Sequence, residues 1–568
     1  MTVEQVPPGL VLIAAALLLP FLRGRWRAAL VLLAPIACLW LVWQIPDGAM
    51  LKAGFLGLEM IVVKGDRLSR LFGTIFCIMA FAGGLFALRQ ARTIELTAAL
   101  FYAGSAIGVV FAGDLITVFV FWELMALGST IVIWSADTEA SRRAGMRYVM
   151  IHLLGGVLLM AGIVDFVAAK NTIAFGVGPI QEVLTVNRPG TWLILAGFLI
   201  NAGAPPLSAW LPDAYPESSP TGMVFLSAFT TKTAVYVLWR GFQGFDVLIW
   251  IGLFMVFYGI IYALLENDMR RILAYSIVNQ VGFMVCGIGI GTDMALNGAA
   301  AHAFTHIIYK ALLLMSAGSV LFMTGKRKCT DLGGLFQSMP LTCICGIIGA
   351  LAISSFPLTS GFISKSMISQ GAADQHLALV WFLLAAASAG VFLHAGIKFP
   401  WFVFFQKDSG MRPPDPPWNM RLAMILFAAL CIGLGVWPEP LYALLPLQPV
   451  TYKPYTGYHV VEMLQLLLFS GLAFFVLLPF MKRTLTISLD VDWFWRRLGA
   501  MLAREFTTRS NRARGITGER LQNRLSKALE TVFHFHGPKG ILARTWDTGT
   551  TTLVIVGLLA AYLVIYFV

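Results

Sequence analysis

Long apolar runs, separated by short polar segments, follow one another along almost the whole chain. A helix needs about 20 apolar residues to cross a bilayer, so each run predicts one transmembrane span. The first run follows Glu4 with no Lys or Arg before it and no small-residue cleavage site after it, and we interpret it as a span rather than a signal peptide. The runs predict sixteen spans, which start near Pro8, Ala28, Leu68, Ile94, Leu115, Tyr148, Thr191, Thr221, Val247, Ile272, Met294, Leu341, Leu377, Leu422, Val460 and Thr551.

The polar segments between the spans differ in charge. One alternate set contains eighteen basic residues, among them Arg89, Arg142 and Arg270, whereas the opposite set contains eight. Basic residues accumulate in cytoplasmic loops. We therefore expect the first set to be cytoplasmic and both termini to lie outside.

Composition narrows the class of protein. Charged residues make up 12% of the chain, about half the 25% of a soluble domain, which indicates that lipid surrounds most of it. The net charge of +12 is carried by loops and one C-terminal stretch, so the lipid bilayer and not nucleic acid is the expected partner. Seven scattered cysteines without a C-x-x-C pair are typical of small core residues. No phosphate loop, zinc-ligand spacing or redox-cofactor ligand set occurs, and we expect no cofactor, no metal and no enzymatic activity.

The stretch 484–547 departs from the pattern of apolar runs, with eleven basic and six acidic residues. Apolar residues such as Leu498 and Leu502 recur in it at helical spacing, which predicts an amphipathic helix on the cytoplasmic membrane surface. We expect Gly515, Gly518 and the Gly537–Pro538 pair to break this helix into pieces. The alternative interpretation is a solvated basic loop.

Six ionisable residues lie well inside predicted spans, where a charge is costly and therefore indicates function. Three of them recur at intervals of four residues, which places them on one helix face. Because imidazoles and an amine in an apolar site can exchange protons near neutral pH, such a row can pass a proton. The alternative is a structural cluster, hydrogen-bonded to backbone or neighbouring helices. The six are Glu123, Lys232, His302, His306, Lys310 and Lys365, and the row is His302, His306 and Lys310.

Two predicted spans contain helix-breaking residues near their centres. Asn201 is followed by Pro205 and Pro206, and Pro357 and Gly361 interrupt the twelfth span. Broken helices at membrane depth place helix termini and their partial charges beside ion sites. The two interruptions lie about five spans apart, which indicates an internal repeat of spans four to eight and nine to thirteen.

Four more polar residues in spans are weaker candidates. His152 and Asp165 in the sixth span are interpreted either as a structural pair or as part of the proton path. His394 and Lys398 lie in the thirteenth span. The alternative interpretation of Lys398 is that its side chain extends from there to the lipid headgroups.

Five motifs between residues 100 and 405 resemble those of one family. This family comprises the antiporter-like membrane subunits shared by Mrp-type multisubunit sodium/proton antiporters, respiratory complex I and energy-converting hydrogenases. The resemblance implies an all-α polytopic membrane protein, with about fourteen core helices in two inverted five-helix repeats that contain broken helices. It also implies a lateral amphipathic helix on the cytoplasmic side and a final transmembrane helix. The motifs read FWELMALGS, PPLSAWLPDAYPE, LLENDMRRILAYSIVNQVGFM, HAFTHIIYKALLLMSAG and FPLTSGFISKSMI.

The same resemblance implies a multi-pass protein of the bacterial inner membrane with five parts. The parts are N-terminal transmembrane helices at 1–93, a proton-translocating core at 94–405, further core helices at 406–483, the basic lateral segment at 484–547 and a final anchor at 548–568.

The resemblance also implies roles for individual residues. Glu123 is similar to the family's fifth-span glutamate, which pairs with a lysine, and Lys232 to its eighth-span lysine. Lys365 is similar to the twelfth-span lysine that opens toward one face. The row on the eleventh span is similar to the relay of the second repeat.

Asn201 departs from the family pattern. The stretch GFLINAGAPPL has Asn201 where the family usually carries a lysine, and an amide cannot take up and release a proton. Either Lys232 replaces that lysine as the partner of Glu123, or the first repeat is sealed and only the second repeat conducts protons.

These observations predict the proton-conducting subunit of a multisubunit Na+/proton antiporter, which works with other membrane subunits. Protons enter at the Glu123–Lys232 region or in the second repeat, pass along the row and leave near Lys365. One alternative is a pumping subunit of a complex-I-like or hydrogenase-type complex, whose electron-driven step lies in partner subunits. Another is a structural scaffold with an inactive pathway.

Overall fold

The computed structural model describes residues 6–55, 57–176, 178–183, 186–479, 490, 493–537 and 547–567. The chain divides into two compact units, Met1–Val491 and Asp492–Val568. Apart from one two-stranded hairpin, the regular structure of the described residues is helical, which confirms the all-α class.

The first unit begins with six long helices and the hairpin, which lies between the second and third helices. These elements are α1 (Pro8–Leu18), α2 (Gly24–Gln44), β1 (Met50–Phe55), β2 (Leu58–Lys64), α3 (Arg67–Ala87), α4 (Thr93–Phe111), α5 (Leu115–Trp134) and α6 (Glu139–Lys170).

The middle of the unit contains both long and very short helices. They are α7 (Ile180–Val183), α8 (Pro189–Ala202), α9 (Trp210–Ala214), α10 (Gly222–Leu226), α11 (Thr230–Gly241), α12 (Val247–Leu265), α13 (Met269–Ile290) and α14 (Asp293–Thr324).

One of the remaining helices of the first unit changes from α-helical to π-helical turns along its length. After α17 the chain continues in π-helical turns at Phe392–Lys398 and Trp401–Phe405. These helices are α15 (Pro340–Ile353), α16 (Ser360–Asp374), α17 (Ala378–Val391), α18 (Trp418–Val436), α19 (Glu439–Tyr442) and α20 (Gly457–Leu477).

The helices coincide with the predicted spans. Among the described residues, thirteen helices are long and apolar enough to cross a membrane. Three shorter apolar helices, Pro8–Phe21, Pro189–Ala202 and Pro340–Ile353, fall on the three remaining spans. Each of the sixteen predicted spans is therefore helical.

Both predicted helix breaks are present. α8 ends before Gly203, which has a left-handed backbone (φ 78°), and helix resumes at α9. α15 ends at Ile353 and helix resumes at α16. A third break, between α10 and α11 in the eighth span, was not predicted.

Glycines bring α12 and α13 into backbone contact. A β-carbon on Gly252 would lie 2.5 Å from the Cys286 backbone nitrogen, and one on Gly282 would lie 2.6 Å from the Gly252 carbonyl oxygen. Small residues allow such close approach between membrane helices. The contact holds α13, which carries Gln280, against its neighbour.

The two ends of the helix bundle differ in their residues. We call the end that carries Arg142, Arg270 and Arg327 the basic end, and the end that carries β1 and β2 the hairpin end. The hairpin is antiparallel, with a bulge between Leu51 and Lys52.

The second unit consists of α21 (Ala500–His536), preceded by a π-helical turn at Phe494–Gly499, and α22 (Thr548–Phe567). α21 continues without a break through Gly515 and Gly518. The prediction that Gly515 and Gly518 interrupt the helix is therefore wrong, as is the alternative of a loop over residues 500–536. The helix ends at His536, directly before Gly537, as predicted. Apolar residues of this helix such as Leu525 and Leu529 are exposed within the described chain, and their spacing of four residues places them on one helix face, as in an amphipathic helix.

Candidate proton pathway

The predicted row of titratable side chains lies along one face of α14. His302, His306 and Lys310 are fully buried (0% exposed). The spacing of four residues places each about one helical turn from the next. α14 packs against α13, α15 and α16, so the row lies inside the bundle and does not face lipid.

Both ring nitrogens of His302 have partners. Nδ1 lies 2.9 Å from the Ser364 hydroxyl on α16, and Nε2 lies 3.1 Å from Gln280 Oε1 on α13. The Tyr309 hydroxyl donates to the same amide oxygen at 3.1 Å. Because that oxygen only accepts, the proton of a neutral His302 ring lies on Nε2, and Nδ1 accepts from Ser364.

The next two members of the row lack protein partners. Within the described residues, neither ring nitrogen of His306 nor Lys310 Nζ has a hydrogen-bond partner in the protein. Buried polar atoms are almost always hydrogen-bonded, to protein or to ordered water. These two side chains therefore require water inside the bundle. Lys232, His302 and Lys365 lie close enough to His306 to interact with it electrostatically.

Lys232 lies just after the unpredicted break between α10 and α11. Its Nζ donates to the Ser227 carbonyl oxygen at 2.5 Å and to the Thr231 hydroxyl at 3.0 Å. A helix end leaves its last carbonyl groups without intrahelical partners, so the break supplies an acceptor for this ammonium group. Lys232 also interacts electrostatically with Lys310, which links it to the row.

Glu123 is half-buried and faces α6. A β-carbon on Gly156 would collide with Glu123 Oε1, so the absence of a side chain at 156 makes room for the carboxylate. Oε1 is buried and has no hydrogen-bond partner among the described residues. No N···O distance of 4.0 Å or less joins Glu123 to Lys232, both of which are described. The structure thus contains no direct Glu123–Lys232 ion pair, and a shared role in transport stays a prediction.

His152 lies at the break between α8 and α9. Its ring centroid lies 4.7 Å from that of Trp210, whose indole nitrogen donates to the Ile200 carbonyl at the end of α8. His152 Nδ1 lies 2.9 Å from the Tyr148 carbonyl, and Nε2 has no partner among the described residues. Both amide atoms of Asn201 are likewise buried without partners in that part of the chain.

His152 also lies near Glu123. It precedes Gly156 by four residues on α6, so the two share one helix face, and Gly156 contacts the Glu123 carboxylate. Asp165 is not its partner, because Asp165 accepts from Arg188 at 2.8 Å and from the Gly190 backbone at 3.0 Å.

Lys365 lies just after the break between α15 and α16. Its Nζ donates to the Ile353 carbonyl at the end of α15 (2.8 Å) and lies 4.9 Å from the centroid of the Phe283 ring. A helix C-terminus carries negative partial charge, which stabilises the ammonium group. A cavity of about 360 Å³ at the hairpin end reaches this residue. Other residues that line it include Ser369, Gln370, Tyr452, Lys453, His459 and Glu462.

Lys398 lies near the basic end and caps α12. Its Nζ donates to the carbonyl oxygens of Ala263 (3.1 Å), Leu264 (2.6 Å) and Glu266 (2.6 Å). Three acceptors match the three N–H groups of an ammonium group. The side chain therefore binds protein carbonyls rather than reaching headgroups, and its part in the proton path stays a prediction.

Several polar residues near the row were missed in the sequence or given little weight. Gln280, Tyr309 and Ser364 were not singled out, although each is a polar residue in an apolar run, as Gln280 is in VNQVGF. His394 is fully buried beside the row, and the only signal for it was an imidazole inside a predicted span.

Ion pairs at the basic end hold the segment after the first break. Arg147 binds Asp213 through Nε (2.6 Å) and Nη2 (2.9 Å), and Arg327 binds Glu217 at 2.9 Å. Bidentate arginine–carboxylate pairs fix orientation as well as position. The motif PPLSAWLPDAYPE thus anchors the broken seventh span.

The fold and the buried row define a polytopic membrane protein with titratable groups distributed through its helix bundle. The family described as NADH:quinone oxidoreductase/Mrp antiporter, transmembrane, matches residues 112–392. The chain is 28% identical over 422 residues to a Na(+)/H(+) antiporter subunit from Alkalihalophilus pseudofirmus, across 70% of this chain and 83% of that one. It is 30% identical over 393 residues to an NADH-quinone oxidoreductase subunit from Desulforudis audaxviator, across 63% and 76%. The chain belongs to this NADH:quinone oxidoreductase/Mrp antiporter family.

Two solved structures share the fold. A chain of the Mrp complex from Dietzia sp. DQ12-45-1b has a TM-score of 0.69 at 19% identity, covering 84% of this chain and 99% of that chain. A chain of the membrane-bound sulfane sulfur reductase, an archaeal respiratory membrane complex, has a TM-score of 0.73 at 21% identity, covering 98% and 100%. These neighbours confirm the predicted antiporter-like membrane fold.

Proposed function

We propose that this chain is the proton-conducting subunit of a multisubunit monovalent cation/proton antiporter, with Na+ as the expected cation. One observation carries the proposal. His306 and Lys310 are fully buried without protein hydrogen bonds among the described residues, and they lie between two lysines at helix breaks, Lys232 and Lys365. A structural cluster satisfies its polar atoms, whereas a proton relay needs water and groups free to change charge.

The relay works through coupled charges. Lys232, Lys310 and Lys365 all act electrostatically on His306. Protonation of one group disfavours protonation of its neighbours, so a proton that enters at one end displaces another toward the next site. Protons leave at Lys365, where the cavity of about 360 Å³ opens toward the hairpin end.

The first predicted repeat, spans four to eight, supplies a second route to the row. Glu123, His152 and Lys232 lie in it, and the unpartnered Asn201 amide and His152 Nε2 mark a place for water at the α8–α9 break. Such water can link the Glu123 carboxylate to Lys232 without a direct ion pair. Asn201 leaves two alternatives for the first repeat. This route is the one in which Lys232 replaces the missing lysine as the partner of Glu123. In the other alternative the first repeat is sealed and conducts no protons.

Orientation and assembly follow the family pattern. The excess of basic residues at the basic end supports a cytoplasmic location for that end and an outer location for both termini, in the inner membrane of a bacterium. The two helix breaks five spans apart support the two inverted five-helix repeats. Because the structural neighbours are chains of multisubunit membrane complexes, other membrane subunits are the expected partners.

A proton-pumping subunit of a redox complex is the second candidate. The 30% identity to an NADH-quinone oxidoreductase subunit favours it. The driving force separates the two functions. Vesicles that contain the whole complex should move protons when a Na+ gradient is imposed if it is an antiporter, and when an electron donor is oxidised if it is a redox pump.

Replacement of Lys310 tests the relay. We expect Lys310→Ala to lower cation-driven proton movement by at least about tenfold, because the variant removes a carrier in the middle of the row. Proton movement is measured with a pH-sensitive dye in everted vesicles that contain the complete complex. Lys326→Ala is the matched control, since Lys326 is exposed just beyond the end of the same helix. Equal rates for the two variants would favour the scaffold alternative and contradict the proposal.

A further inference from the structure

A fourth buried imidazole interacts electrostatically with Lys310, the last member of the row on α14. His394 is fully buried, in the π-helical stretch Phe392–Lys398 that continues α17. π-Helical turns in membrane helices are frequent at functional sites because they leave backbone and side chains in unusual positions. The stretch packs against the α15–α16 break, where a β-carbon on Gly396 would lie 2.5 Å from Ser354 Oγ.

The ring of His394 is oriented to accept a proton. Nδ1 lies 2.9 Å from the Gly390 carbonyl oxygen. A carbonyl oxygen only accepts, so Nδ1 carries the hydrogen and Nε2 of the neutral ring has a free lone pair. Nε2 is buried and has no hydrogen-bond partner among the described residues.

The charged groups that face His394 are lysines. Lys310, Lys398 and Lys365 interact with it electrostatically. Lys310, like His306, has no protein hydrogen-bond partner among the described residues, and Lys398 is held by the three carbonyl groups that end α12. His394 therefore lies between the row and the basic end.

A surface-accessible ion pair follows directly beyond Lys398. The Glu266 carboxylate binds Arg271 at 2.9 Å, with side chains 15% and 25% exposed. The sequence of groups from the basic end inward is thus Glu266, Lys398, His394 and Lys310. None of these groups belongs to spans four to eight, the first predicted repeat, which contain Glu123 and Lys232.

We propose that His394 carries protons between the basic end and the Lys310 amine, so that the second half has an entrance of its own. This inference rests on the proposed function. A proton from water at the basic end bonds to Nε2 and forms an imidazolium ion. The Nε2–H bond then breaks as the proton passes to the neutral Lys310 amine, which becomes an ammonium ion while the ring returns to neutral.

Lys398 controls the order of these steps. Its ammonium group fills all three carbonyl acceptors, and a neutral amine would leave at least one of them unpaired, so it keeps its charge. This fixed positive charge disfavours the imidazolium ion while Lys310 is also charged. His394 is consequently loaded only after Lys310 has passed its proton onward.

The test replaces His394 by asparagine in the complete complex. Asn reproduces the Nδ1 donor to the Gly390 carbonyl but lacks the second nitrogen. We expect H394N to lower cation-driven proton movement, expressed per assembled complex, by at least about tenfold. H376N is the control, because His376 is exposed and has a left-handed backbone (φ 55°) that asparagine tolerates; its rate should match that of the wild type.

A second readout separates proton carrying from packing. Lowering the pH on the side of the basic end should raise the rate of H394N by a larger factor than that of the wild type, because more protons compensate for the missing carrier. A packing defect would not respond in this way. If H394N assembles poorly, H394Q, which keeps most of the ring volume, is measured instead.

The outcomes distinguish this inference from the proposed function. A rate within twofold of wild type in assembled H394N or H394Q, with Lys310→Ala inactive, would overturn the role of His394 and leave the relay in place. Normal rates in all of these variants would overturn both.

Discussion

At the scale of single residues, the proposed pathway depends on polar atoms that are buried but not paired by protein. Glu123 Oε1, both His306 nitrogens and Lys310 Nζ are in this state among the described residues. An unpaired buried polar atom is costly, and a stable fold retains it only where water or a changing charge satisfies it. The positions of these titratable atoms therefore support the proposed proton path.

The close contact between Glu123 and Gly156 predicts what a side chain added at residue 156 would do to proton movement. Gly156→Ala would place a methyl group where Glu123 Oε1 lies, so the carboxylate must leave its present position. We expect G156A to reduce cation-driven proton movement about as strongly as Glu123→Gln does. The measurement is the same vesicle assay.

The neighbouring glycine supplies the control for this prediction. A β-carbon on Gly155 would lie 3.3 Å from the Ile200 side chain, which can give way. G155A should therefore keep most of the activity. A fully active G156A, or an inactive G155A with normal assembly, would contradict the role assigned to the Glu123 position.

Residue partners were harder to predict than residue burial. Apolar runs predicted that Lys232 and Lys310 are buried, because burial in a span follows from neighbours along the chain. The partner of Lys232 depends on how helices pack. The cost of an unpaired carboxylate suggested Glu123, whereas the structure provides the Ser227 carbonyl at a break that no proline or glycine marks.

At the scale of helices, three lysines bind carbonyl groups at helix C-termini. Lys232 binds at the end of α10, Lys365 at the end of α15 and Lys398 at the end of α12. The negative end of a helix dipole stabilises each ammonium group. Lys310 has no such acceptor among the described residues. Of these four lysines it is therefore the one whose ammonium form receives the least stabilisation from carbonyl groups.

An ion pair at the hairpin end holds α3 and α11 together. Asp66 caps α3 by accepting from the Ser69 backbone at 2.8 Å, and it binds the Arg240 guanidinium group at 2.6 Å. Burial raises the pKa of Asp66, but Arg240 and Ser69 lower it by more, so its pKa lies below the usual value. A carboxyl group with a lowered folded-state pKa stabilises the fold above its unfolded pKa, and this contribution is lost as the pH falls through the folded pKa.

Asp66→Asn should destabilise the protein in a pH-dependent way. Asparagine keeps the helix cap but removes the ion pair, so we expect a loss of about 1–2 kcal/mol at neutral pH, since the Asp66 side chain is 29% exposed. The difference from wild type should shrink as the pH falls below about 4. Thermal unfolding of the purified complex measures both effects. Asp47→Asn, in a more exposed pair with Arg70, is the control and should change little; a D66N effect that persists unchanged in acid would refute the linkage.

Helix positions were largely predictable, and their irregularities were only partly so. Apolar run length predicted all sixteen spans, and Pro205 and Pro357 marked two breaks because proline removes a backbone donor. The α10–α11 break and the π-helical stretch Phe392–Lys398 contain no proline, and Pro400, which directly precedes the stretch Trp401–Phe405, was not recognised as a sign of irregularity. These irregularities arise where tertiary contacts outweigh the local helix propensity. Such contacts cannot be predicted from a single sequence.

At the scale of the whole molecule, candidate groups of the second predicted repeat lie toward both ends of the first unit. The cavity at Lys365 reaches the hairpin end, and Lys398 with Glu266 reaches the basic end. The row on α14 lies between them. The repeat symmetry and the side of the membrane that each end faces stay predictions from the sequence pattern.

The most direct test of the account is His306→Gln. Among the described residues, His306 makes no hydrogen bond to protein, so the substitution removes its titration and breaks no protein hydrogen bond. If protons cross the molecule through the row, cation-driven proton movement in vesicles with the assembled complex should fall by at least about tenfold. A wild-type rate in assembled H306Q would contradict the central claim that these buried side chains carry protons.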